Sequence, residues 1–92
     1  MTRTGQITAL PGGTAVVRPI PAYFVDNASV VVATVLDQRL DDYGVGDTDE
    51  EAATDLAASI AETFAVLTAE RQNLGPKLVE ELAALEEYLC RS

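Results

Sequence analysis

The chain of 92 residues has no histidine, no tryptophan, one cysteine and only six lysines and arginines. Without histidine, no Ser-His or Cys-His pair can form, which removes the usual route to an activated nucleophile. Cys90 lies between Leu89 and Arg91 and reads as a chance cysteine at a helix end. A single cysteine makes no internal disulfide, so a reducing cytoplasm is the expected location. Six cations are too few to neutralise a run of phosphates. Direct binding to nucleic acid or to an anionic membrane surface is therefore not expected. No apolar run approaches the ~18 residues of a membrane span, and none of signal-peptide length follows Met1-Thr2-Arg3-Thr4-Gly5.

What the chain has in excess is acid: 15 aspartates and glutamates, a net charge of −9 and a sequence pI near 4.1. Hydrophobic residues make up 48%, which argues for a folded core and against disorder. The length allows one domain, near the lower limit for independent folding, so a partner subunit would help. A basic partner is the natural complement to such a field, since opposite charges speed association and orient it.

Residues 1–13 read as an N-terminal arm closed by the turn Pro11-Gly12-Gly13, with Thr8 to Leu10 as a short edge strand. A first strand falls within Ala15–Asp26, placed at an edge or broken because Pro19 and Pro21 each remove a ladder donor. Asp26-Asn27 reads as its hairpin turn. Ser29 to Leu36 is the strongest strand signal, with β-branched residues throughout. Val30, Val32 and Leu36 occupy one parity and Val31, Ala33 and Val35 the other, so this strand asks for cover on both faces. After a turn at Asp37-Gln38, a third strand spans Arg39–Val45. Gly44 and Gly46 suggest a bulge or a tight exit.

Thr48 with Glu51 forms a capping box, and Asp49, Glu50 and Glu51 suit the positive end of a helix dipole. The helix should run to about Glu70, with Ala53, Leu56, Ile60, Phe64 and Leu67 as its apolar stripe. Pro76 opens a second helix, 76–91, striped by Leu78, Leu82, Leu85 and Leu89. Those four leucines serve either an internal core or an oligomer interface with a second copy. The fold expected is α+β: a three-stranded antiparallel sheet, four-stranded with the arm, then two helices, in the order β-β-β-α-α. Residues 14–92 form its single domain.

No catalytic set, cofactor site or metal site is expected. Asp37, Asp41, Asp42, Asp47 and Asp49 are oxygen-rich, but their spacing does not match the helix-loop-helix calcium pattern. Gly44-Val45-Gly46 precedes a helix N-terminus, but the acids there would repel phosphate. Residues 37–62 hold nine acidic side chains (Asp37, Asp41, Asp42, Asp47, Asp49, Glu50, Glu51, Asp55, Glu62) against Arg39 alone. This run is either a solvated face or a protein-binding surface. Helix capping accounts for part of it, so the contact is placed at Asp41, Asp42 and Tyr43, where capping explains nothing and the Tyr43 ring can anchor a partner.

From Ile20 to Leu67 the chain resembles the N-terminal domain of HicB-like antitoxins. The residues concerned are the apolar strand Val30–Leu36, the polar strand Leu40–Gly44, and Gly46-Asp47-Thr48-Asp49-Glu50-Glu51-Ala52 opening a helix with Leu56 and Ile60. The resemblance implies a β-β-β-α unit of the partial double-stranded-RNA-binding-domain type. It also implies a partner: a small basic toxin, an mRNA-cleaving ribonuclease, neutralised by direct binding. Many such antitoxins add a DNA-binding part. Here Gly75–Ser92 is too short and too acidic for one. The alternative is a structural or regulatory homodimer of the same fold with no toxin partner, and a homodimer is expected on either reading.

Overall fold

The structure, a computed structural model, describes residues 2–91. It is α+β, with a four-stranded antiparallel sheet followed by two helices. In chain order the elements are β1 (Thr2–Ile7), β2 (Thr14–Val16), β3 (Ile20–Asn27), β4 (Val30–Val35), β5 (Tyr43–Gly46), α1 (Asp49–Ala69), α2 (Pro76–Glu86) and β6 (Leu89–Arg91). The main sheet runs β1-β3-β4-β5, and β2 pairs separately with β6.

The N-terminal segment is part of the sheet. Its strand is Thr2–Ile7, not Thr8–Leu10, and it pairs antiparallel with β3 from Thr2↔Val25 to Ile7↔Ile20. Arg3 fastens it: the guanidinium donates to Asp49 at 2.6 and 2.7 Å and to Asp26 at 3.0 and 3.1 Å, joining β1, β3 and the start of α1. With β1 outside it, β3 is an interior strand despite Pro21. The proline is tolerated because the β3–β4 ladder ends there: its carbonyl accepts from the Leu36 N–H at 3.0 Å, and the donor it lacks falls beyond the last β4 pair. The β3–β4 turn is Ala28-Ser29, with Asp26 and Asn27 still in the strand. Ala28 takes φ 58°, the left-handed value that a type II′ hairpin needs at its first central residue.

One sheet face is covered. Ile20, Ala22, Phe24, Val31, Ala33 and Val35 form a core with Ala52, Leu56, Ile60, Phe64 and Leu67 of α1. Length and composition alone would let α1 cross a bilayer, but this stripe is taken up by the sheet. The helix starts as expected, with the Thr48 hydroxyl accepting from Glu51 N–H at 3.1 Å; Glu51 accepts from Asp47 N–H at 2.9 Å. Gly44 and Gly46 have a role not foreseen from sequence. Neither adopts a positive φ. A Cβ on Gly44 would overlap the backbone of Leu56 and Ala52, and one on Gly46 that of Ala52. The absence of a side chain lets α1 lie directly on β5.

The second helix ends at Glu86, short of the expected 91. The chain then turns at Tyr88, whose carbonyl accepts from the N–H of Val17 (2.8 Å) and Arg18 (3.3 Å), and Leu89–Arg91 pairs with β2. Leu82, Leu85 and Leu89 are therefore buried in the protein's own core, and Leu78 alone of the four leucines is exposed. The leucine spacing reflects packing inside the subunit. The opposite sheet face remains open. Tyr23, Val25, Val30, Val32 and Thr34 are half-buried, and Leu36, Tyr43 and Val45 are exposed.

Candidate protein-binding surface

The three residues singled out in the acidic run do not share a surface, because strand alternation and the loop before β5 send them different ways. Asp41 is exposed, with Lys77 Nζ 3.9 Å from its carboxylate. Asp42 is buried at 8% exposure and works inside the fold, where its Oδ1 accepts from Ser59 Oγ at 2.8 Å and Thr63 Oγ1 at 2.9 Å. Its Oδ2 receives no hydrogen bond among the described residues. Nearby Glu81 on α2 is equally buried, and that burial, reinforced by the charges of Asp42 and Asp41, pushes its carboxyl above the ordinary glutamate value. Tyr43 is 62% exposed and belongs to the open sheet face.

The remaining aspartates of the run are dispersed. Asp37 accepts from Arg39 (2.6 Å) and from Tyr88 OH (2.8 Å), tying the loop before β5 to the C-terminal turn, and the guanidinium holds its carboxyl well below the usual range. Arg39 also reaches Glu87 at 2.6 Å, and Arg18 lies over the Tyr88 ring at 4.4 Å. Among the described residues, no three His, Cys, Asp or Glu side chains gather where they could hold a metal ion.

The acidic surface that does form lies on the outer side of α1. Residues 49–69 contain no lysine or arginine. Arg3, Arg18, Arg39, Arg71 and Lys77 are all engaged elsewhere, in ion pairs with Asp26, Asp37, Asp41, Asp49, Glu86 and Glu87. Asp47, Glu50, Glu51, Asp55 and Glu62 enter no ion pair among the described residues. Two shallow grooves run along this side and share Glu50, Thr54 and Ala58. One is acidic, bounded by Val45, Thr48, Glu51 and Asp55. The other is mainly apolar, floored by Ala53 and Ala57 and walled by Ile7, Leu10 and Pro11. Asp55 also accepts from the Val45 N–H at 2.9 Å and so occupies a backbone donor of edge strand β5.

Sequence pattern alone could have located the acids, which flank the capping box. It could not have located the apolar wall, because that comes from residues 6–11, about forty positions away. Comparison of the chain with protein-family models, curated proteins and solved structures finds no match.

Proposed function

We propose that this chain is a non-catalytic protein-binding module of the HicB-like antitoxin kind, which neutralises a small basic protein by covering its working surface. The observation behind this reading is the paired groove on α1: an apolar floor with a carboxylate rim, of which Glu50, Glu51 and Asp55 enter no ion pair among the described residues. An apolar centre supplies affinity, and an uncompensated charged rim supplies orientation and association rate. A partner segment presenting apolar anchors between lysines or arginines meets both demands. The site thus moves from Asp41, Asp42 and Tyr43 to Glu50, Asp55 and Ala58.

The test uses Glu50→Lys with Ala58→Arg, since the side chains of both residues are exposed and neither makes a hydrogen bond or ion pair that holds the fold. Wild-type chain should recover a small basic protein from its native host and relieve the growth arrest which that protein causes when expressed alone. The double variant, folded by circular dichroism, should do neither. Binding that survives the double variant, or a host that yields no small basic protein, would overturn the reading.

A further inference from the structure

The open face of the main sheet is organised. Across the strands, Tyr23, Thr34 and Tyr43 align in one row, and Val25, Val32 and Val45 in the next. Leu36 extends the patch, at 48% exposure. A solvated sheet face ordinarily carries polar and charged side chains. This face carries no charged residue on any strand, in a chain whose net charge is −9.

We propose that this face is the contact with a second copy of the same chain, two sheets stacking face to face across a two-fold axis. Charge selects the occupant. A basic partner would bring lysines and arginines onto a surface with no carboxylate to receive them, and would lose their hydration for nothing. A second copy brings an equally uncharged face, so the acids of both chains remain at the rim in water. An isologous two-fold contact needs only such a self-complementary patch. Four strands spaced ~4.8 Å apart, each contributing about five residues, give roughly 300–350 Å² in projection. Side-chain relief raises the accessible area above that projection, which fits a contact at the small end of the interface range, below ~600 Å² per partner. The second copy also supplies the cover that β4, apolar on both sides, lacks within one chain.

This contact and the groove on α1 meet only at Val45 and respond oppositely to salt. Two chains of charge −9 repel, so screening should strengthen the dimer, whereas screening weakens an acid–base complex. Sedimentation velocity of the full chain, from low micromolar to submillimolar concentration and at two ionic strengths, tests this. A dimer tightened by salt is expected. Val32→Lys and Tyr43→Lys should each raise its dissociation constant ~100-fold or more, because each buries a charge at the contact. Tyr43 is exposed on an edge strand, so its variant keeps the fold. Val66→Lys, on the outer side of α1, should leave the dimer intact. A monomer at the highest concentration, a dimer surviving both sheet variants, or equal loss with Val66→Lys would each overturn the proposal.

Discussion

Replacing Glu81 by glutamine should stabilise the protein at neutral pH. Glu81 and Asp42 are both buried, and among the described residues no cation pairs with either carboxylate and no group donates to Asp42 Oδ2. Lys77, one turn before Glu81, partly offsets the charge of Glu81, but it is 85% exposed and is worth a few tenths of a kcal/mol at most. Glutamine keeps the shape and removes one buried negative charge that Asp42 and Asp41 oppose. Relieving one buried, uncompensated polar group is worth about 1–2 kcal/mol, or roughly 5–10 °C in Tm for a chain this size. The pH dependence carries the sign. The carboxyl of Glu81 titrates higher in the folded protein than in the unfolded chain. Its favourable, protonated state is fully available below the ordinary glutamate value, and that contribution is lost as pH rises through the raised folded value. Thermal melts of wild type and Glu81→Gln should therefore differ little near pH 4 and separate progressively toward neutrality. A difference that does not change with pH, or a glutamine variant that melts lower at pH 7, would show that the Glu81 charge is net favourable and refute the reasoning.

Three further outcomes follow from the packing. Gly44→Ala should destabilise by about 2–3 kcal/mol, read by denaturant melts, since its Cβ meets the backbone of α1 and not a yielding side chain. Ala28→Gly should stabilise by up to about 1 kcal/mol, because glycine adopts the positive φ of that turn without the clash alanine incurs. Asp37→Asn should cost about 2 kcal/mol at neutral pH through its bonds to Arg39 and Tyr88. The carboxyl of Asp37 is held low in the folded state. Its contribution is present above the ordinary aspartate value and fades as pH falls through the folded value, so the deficit of the asparagine variant should shrink in acid.

What the sequence determined by itself was local. The cap at Thr48, the stripe from Leu56 to Leu67, the β-branched run of β4 and the Pro76 helix start each follow from spacing within a few residues, and each formed where that spacing put it. The acid on α1 was equally legible. Tertiary structure decided whatever depends on residues far apart in the chain. Thr2–Ile7 has little apolar character of its own and became a strand because β3 offers it an edge and Arg3 finds Asp26 and Asp49. The leucine spacing of α2 is compatible with an interface or a core, and the C-terminal turn back to β2 made it core. Asp41, Asp42 and Tyr43 are consecutive, yet one points to solvent beside Lys77, one into the protein and one onto the open sheet face. Gly44 and Gly46 read as flexible positions and proved to be small ones, because periodicity and capping act along the chain while clearance between α1 and β5 exists only once both are packed.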